Sequence, residues 1–258
     1  MASIRGRLKR ALRQPLPGGK AQQLMAPVPR PGWDPAHKTR DGQPAAVLVL
    51  IYPLETAAAK EAREGAATGW ERCAPVVPHG LGAESASIRE PAPDDADPEG
   101  VANKGTPGLV LTERTAFLES HRAQISFPGG TIEEGESPEQ AALREAFEET
   151  GIPQELPESL GRLSQLWIPA SGYAVTPVVA TATCRPVFKP NPDEVKRILE
   201  VPLTDLLRPG SVQISARSTD GFWMKVRYFD VEGAWLWGAT AMMLAELLVL
   251  LGWRGPDV

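Results

Sequence analysis

Apolar residues in this chain come in short, dense runs separated by polar stretches rich in proline and glycine. "AAVLVLIYP" (45–53) is apolar at almost every position and ends in proline, the pattern of a buried strand. "GLVLT" (108–112) and "ISF" (125–127) also have strand character, the second entering a "PGG" turn at 128–130. A helix is then predicted with both ends marked. Ser137 is its N-cap, Pro138 its N1 residue and Gln140 its N3, which completes a capping box. Ala141, Leu143, Ala146 and Phe147 carry it to Gly151, a residue suited to the left-handed position past a helix end. "RLSQLWI" (162–168) and "AVTPVVATAT" (174–183) read as strands, the second bent at Pro177. Beyond "KPNPDE" and "VKRILEVPL" the pattern predicts strands near 211–216 and 222–231 and a final helix. Strands before, between and after helices imply a mixed sheet flanked by helices.

Two regions stand outside this pattern. Residues 1–32 carry seven Lys/Arg with no acid before Asp34, and Pro15, Pro17, Pro27, Pro29 and Pro31 suggest a loosely packed arm. Ile4, Leu8 and Leu12 fall on one helical face, so a short helix docking on its own domain is expected in preference to a membrane-surface helix. Residues 33–258 form the main domain, interrupted by 54–108. That stretch has one helical segment, "LETAAAKEAREGAA", and then a run through "EPAPDDADPEG" too polar for a core, so it reads as a partly mobile insertion.

The run "AWLWGATAMMLAELLVLLGW" (234–253) is long and apolar enough to suggest a membrane span. Glu246 within it and the lack of a Lys/Arg cluster at its ends favour a buried helix against a sheet. The composition, 42% hydrophobic and 23% charged, is that of an ordinary globular chain. A net charge of −5 argues against a nucleic-acid partner. Cys73 and Cys184 form no C-x-x-C pair, and fit a reduced, cytoplasmic setting with neither a zinc site nor a disulfide.

The chemistry concentrates in "REAFEETG" (144–151). Glu145, Glu148 and Glu149 stand at i, i+3 and i+4, on one helical face and near a C-terminus. Like charges repel there, and the helix dipole disfavours them. A divalent cation removes both objections, because Mg²⁺ takes carboxylate oxygens and substrate phosphates. Gly129 and Gly130 allow a backbone carbonyl and a ligand to approach closely.

Read as a whole, "GTIEEGESPEQAALREAFEETGI" (130–152) resembles the Nudix box, G-x5-E-x7-R-E-U-x-E-E-x-G-U, with every position filled. The resemblance implies a Nudix fold: an α/β/α sandwich around a mixed sheet. It implies Mg²⁺- or Mn²⁺-dependent hydrolysis of a nucleoside diphosphate linked to another group. Glu145, Glu149, Glu148 and the Gly129 carbonyl are the implied metal ligands. Glu148 and Glu145 are the implied catalytic acids, and Arg144 and Glu136 are braces within the motif.

"LVLTERTAFLESHRAQISFPGG" (109–130) further resembles the coenzyme A pyrophosphatase branch of that family, with Leu111, Thr112, Arg114, Phe127, Pro128, Gly129 and Gly130 in register. Val110, Thr115, Glu119 and Ala123 depart from it, and Glu119 puts an acid where the branch favours a base. "SGYAVTPVVA" (171–180), "PNPDEVKRILEVPLTDLL" (190–207) and "WLWGATAMMLAELL" (235–248) also look like this branch, which places the last helix against the sheet. Arg114, His121 and Gly130 are then candidates for substrate contact, the first two with a loop-bracing hydrogen bond as the alternative. Glu194 is a candidate further carboxylate, with a solvated loop acid as its alternative.

The function implied is cleavage of the pyrophosphate of coenzyme A or its thioesters, a small nucleotide substrate, in the cytoplasm. The alternatives are a pyrophosphatase of ADP-ribose or NADH, and a Nudix-fold binding protein without catalysis. A homodimer is compatible with each.

Overall fold

The computed structural model describes residues 2–29, 42–55, 105–115, 124–219 and 222–256. Its larger sheet is mixed, with eight strands among the described residues. At the centre lies β1 (Gln43–Pro53), parallel to β7 (Tyr173–Thr181) and antiparallel to β2 (Pro107–Arg114). Five short or peripheral strands complete it. β3 (Ile125–Ser126) and β8 (Val195–Pro202) pair with β2, β4 (Gly129–Thr131) pairs with β1, and β6 (Leu166–Ile168) pairs with β7, as does β5 (Glu158–Arg162).

The near-unbroken apolar run of β1 follows from burial on both faces. Ala46, Leu48, Leu50 and Tyr52 meet α3 (Pro138–Thr150), whose Ala141, Ala142 and Ala146 let the helix approach closely. Ala45, Val49 and Ile51 point the other way, into the core around α5 (Gly238–Leu250). The result is two helical layers about one sheet.

α5 accounts for the membrane-like hydropathy. Residues 240–248 are all buried, so the helix is enclosed on every side and apolar at all of these positions but Thr240 and Glu246. Its 13 residues rise only about 20 Å, short of the roughly 30 Å a bilayer core requires. Among the described residues no helix is long and apolar enough to cross a membrane. Glu246, fully buried, accepts hydrogen bonds from Gly18 N–H at 3.0 Å, Gln22 Nε2 at 3.1 Å, and both the N–H and Oγ of Ser164.

That carboxylate explains two departures from expectation. The strand predicted over 162–168 is split into β5 and β6, because Ser164 turns inward to Glu246. Pro177 faces the break. Its C=O accepts from Leu163 N–H at 2.9 Å, so its missing N–H falls on the edge where the ladder is interrupted, and β7 runs through.

Over its described part the N-terminal region carries the docked helix expected from Ile4, Leu8 and Leu12, and is not the loosely packed arm its prolines suggest. α1 (Ala2–Ala11), α2 (Gly19–Gln22) and a 3₁₀ turn (Gln23–Met25) pack on the domain, with Leu8 and Met25 fully buried in the core. Burying a side chain of that size contributes about 1.5–3 kcal/mol, which outweighs the solubility of the cationic face.

A second sheet joins β9 (Val212–Thr219), β10 (Phe222–Val231) and β11 (Ala234–Leu236), so the final helix starts four residues after the apolar run does. A short helix, α4 (Leu203–Leu207), follows β8. Of the expected insertion, 56–104 lies outside the described residues. Its described ends are adjacent, with Pro53 paired to Pro107 and Leu54 N–H donating to Thr106 C=O at 2.8 Å. Cys184 is disulfide-bonded, which overturns the expectation of reduced thiols; Cys73 lies outside the described residues. Separation along the chain sets the entropy of closing a loop, and does not bar it.

Candidate active site

α3 brings the acids together, and local sequence fixes its ends. Ser137 Oγ accepts from Gln140 N–H at 3.2 Å while Gln140 Oε1 accepts from Ser137 N–H at 2.8 Å. Gly151 takes the left-handed conformation at φ 73° and donates its N–H to Phe147 C=O. The face between these caps turns Glu145 and Glu149 toward β4.

Here the two glycines of the turn are required. A Cβ on Gly129 would land on the backbone of Ala46 and Val47, and one on Gly130 would overlap the Glu145 carboxyl group. The Glu145 side chain therefore sits over a bare Cα. Glu149 is only 2% exposed; its Oε2 accepts from Gly129 N–H at 3.3 Å, and its Oε1 faces Arg114 Nη1 at 3.5 Å. Arg114 owes that aim to an irregularity: the β2–β8 register shifts between Glu113 and Arg114. Glu113, buried beside it, is held by Lys196 Nζ at 2.7 Å and Arg197 Nε at 2.5 Å, which tie β2 to β8.

Arg144 occupies the centre of the motif. It donates from Nε and Nη2 to the two oxygens of Glu136 at 2.8 and 3.0 Å, and from Nη2 to Thr131 C=O at 3.0 Å. Its Nη1 reaches Glu145 at 3.0 Å and Glu148 at 3.4 Å. One planar guanidinium thus holds three carboxylates and a backbone carbonyl. These bonds, with one from Glu133 N–H, hold the Glu136 carboxyl down at about 2.

The other acids behave oppositely. Burial pushes Glu149 up from 4.5 to about 8; Glu194 and Glu145 repel its charge, and Arg114 and the Gly129 N–H offset only part of this. Burial raises Glu145 too, with Glu148 and Glu194 adding to it against the pull of Arg144. Carboxylates that disfavour one another's charge in a partly desolvated cleft mark a functional site.

Glu145, Glu148, Glu149, Glu194, Gly129, Gly130, Arg114, Arg144 and Glu136 therefore gather in one region. His121, with Glu119 and Ala123, lies outside the described residues. As they stand, no three acidic, histidine or cysteine side chains among the described residues are grouped tightly enough to hold an ion. The arginines account for this, since Arg144 draws Glu145 and Glu148 to itself and Arg114 faces Glu149. One polar residue escaped the sequence reading. Asn191 bonds both to α3 and to Glu194, and its only signal was the turn-forming Asn-Pro-Asp.

Comparison with known proteins gives the same family. The NUDIX domain profile matches residues 101–222. The protein named uncharacterized Nudix hydrolase NudL in Citrobacter koseri is 36% identical over 155 residues, covering 60% of this chain and 80% of that one. Its namesake in Photorhabdus laumondii is 37% identical over 145 residues, covering 56% and 77%. Among solved structures, a C. elegans Ap4A hydrolase complex overlaps 64% of this chain and 83% of its own at TM-score 0.39 and 17% identity, too loosely to bear on function. With more than a third of positions shared across four-fifths of a relative, and the acids of the box clustered in one cleft, the chain belongs to the Nudix hydrolase family and is a pyrophosphohydrolase acting on phosphoanhydride bonds.

Proposed function

We propose that this enzyme hydrolyses the pyrophosphate of coenzyme A or its acyl thioesters, giving 3′,5′-ADP and (acyl-)4′-phosphopantetheine. The observation that carries the reading is the segment before the box. Residues 109–130 follow the coenzyme A branch pattern, and their ends supply Arg114 beside Glu149 and the two glycines beneath Glu145. The relatives bear names that specify no substrate.

The family generally uses Mg²⁺ or Mn²⁺, and the donor set here fits such a hard cation. It offers oxygens alone, two of its carboxyls are raised by burial and mutual repulsion, and Gly130 leaves the Glu145 carboxyl room to approach the backbone. Glu145, Glu149, Glu148 and the Gly129 carbonyl are the groups proposed to hold it. When bound, it supplies a more acidic water and withdraws charge from phosphoryl oxygens.

The chain's own residues perform the rest. Arg114 presents positive charge to a phosphate while keeping Glu149 oriented. Arg144, bound on four sides, keeps Glu145 and Glu148 in place rather than meeting substrate. Glu194 or Glu148 takes the proton as water oxygen bonds to one phosphorus and the bridging oxygen departs with the other phosphate.

A second reading, a pyrophosphatase of ADP-ribose or NADH, is favoured by Glu119, whose charge is the reverse of the branch pattern. The intact box stands against a merely binding protein. Cytoplasmic residence belongs to the proposal, and the disulfide at Cys184 is the observation against it. Mg²⁺-dependent cleavage of coenzyme A beside ADP-ribose and NADH tests the reading, with coenzyme A expected to be the best substrate and faster cleavage of either rival refuting it.

A further inference from the structure

The loop at 189–194 runs across the C-terminal end of α3. A helix leaves its last carbonyls without intrahelical donors, and this loop supplies two. Lys189 N–H donates to Thr150 C=O at 2.8 Å, and Asn191 N–H donates to Glu149 C=O at 2.9 Å.

Asn191 then organises the loop itself. Its Oδ1 accepts from Asp193 N–H at 3.1 Å, closing an Asx turn. Its C=O accepts from Glu194 N–H at 3.2 Å and Val195 N–H at 2.8 Å. From β2, Thr115 N–H donates to Glu194 C=O at 3.0 Å, and Thr115 Oγ1 donates to Asp193 C=O at 3.1 Å.

The orientation of the side-chain amide is set by these bonds. Asp193 N–H requires an acceptor, so Oδ1 faces it and Nδ2 is left to donate to Glu194 Oε1, at 3.3 Å. One residue is thereby joined to Glu149 through its backbone and to Glu194 through its side chain.

We infer that Asn191 is a positioning residue of the reaction, fixing the Glu194 carboxylate relative to the catalytic helix. The inference rests on the reading of Glu194 as an active-site acid proposed above. Asn191 acts through Glu194 and needs no contact with substrate. Its turn would be equally well made by Asp, the other residue that forms Asx turns. Only the Nδ2 donor distinguishes the two, and Asp in its place turns an attraction for Glu194 into a repulsion.

Asn191→Asp, Glu194→Gln and the double variant test this with Mg²⁺ and whichever phosphoanhydride substrate the wild-type protein turns over fastest. A hydrogen bond to a charged group governs about a tenfold effect or more. N191D is therefore expected to lower kcat at least about tenfold, with KM altered less than about threefold and the melting temperature unchanged. In the E194Q background, where the carboxylate is gone, adding N191D should change kcat less than about twofold.

The inference is overturned if N191D leaves kcat within about twofold of wild type, or lowers it by the same factor in both backgrounds. E194Q at wild-type speed removes the Glu194 reading and this inference together. A slow E194Q beside a fast N191D removes the inference alone. Should N191D melt early, Asn191→Ser, which keeps a turn acceptor without the amide donor, carries the same comparison.

Discussion

Replacing Glu149 by Gln separates what the buried acid costs the fold from what it contributes to catalysis. The carboxyl is 2% exposed and raised from 4.5 to about 8, chiefly by burial and then by Glu194 and Glu145. Below pH 4.5 it is protonated in the folded and the unfolded chain and affects stability little. Between 4.5 and about 8 the unfolded chain ionises while the folded one keeps its proton, so stability falls as pH rises. Above about 8 both are ionised and the whole cost remains. At about 1.4 kcal/mol per pH unit the rise corresponds to a ceiling of about 5 kcal/mol, shared within a coupled cluster.

Gln has the same shape, stays neutral, and keeps an acceptor for the Gly129 N–H. In urea melts with EDTA, the variant should match wild type within about 1 kcal/mol at pH 5 and exceed it by about 2–5 kcal/mol at pH 9. Mg²⁺ should stabilise wild type at pH 9 and not the variant. Turnover should fall by about a thousandfold or more, the worth of several kcal/mol of charge stabilisation in the transition state. Stabilities that run parallel across this pH range would refute the account of Glu149, and near-wild-type turnover would refute its proposed role.

Two further variants probe the frame around the site. Gly130→Ala should cost less than about 1 kcal/mol of stability, since its Cβ meets the far end of a flexible side chain, yet lower kcat at least about tenfold by displacing the Glu145 carboxyl; kinetics and melts on one preparation decide, and unaltered kcat sinks the claim. Glu246→Leu leaves the Gly18 N–H and the Ser164 donors unpaired and removes one of the two acceptors of Gln22 Nε2, so about 3–5 kcal/mol should be lost and proteolysis should open the chain before residue 25 first; a loss under about 1 kcal/mol would show that the carboxylate is not the clasp.

What the sequence revealed and what it hid differ in the range of the interactions responsible. α3 was legible to the residue because Ser137, Pro138, Gln140 and Gly151 act within a turn of themselves. β1 was legible because burial on both faces leaves an apolar run. The box acids and Arg144 lie within one motif, so their clustering was legible as well. The break between β5 and β6 was not, because the group that turns Ser164 inward is Glu246, 82 residues away. The docking of Leu8 was legible from the helical face it shares with Ile4 and Leu12, whereas the bond from Asn191 to Glu149 crosses from a loop to a helix with no periodic signal. Arg114 was found through family resemblance, and its aim at Glu149, 35 positions on, depends on a strand irregularity that no local pattern encodes.

The central claim concerns substrate, and one experiment addresses it directly. Coenzyme A, an acyl thioester, dephospho-coenzyme A, ADP-ribose, NADH and a nucleoside triphosphate are incubated in parallel with Mg²⁺ in ¹⁸O water, and products are followed by mass spectrometry. Coenzyme A should show the highest kcat/KM, yield 3′,5′-ADP and 4′-phosphopantetheine, and carry one ¹⁸O on a single product. Intact coenzyme A and thioester beside cleaved ADP-ribose or NADH would contradict the account.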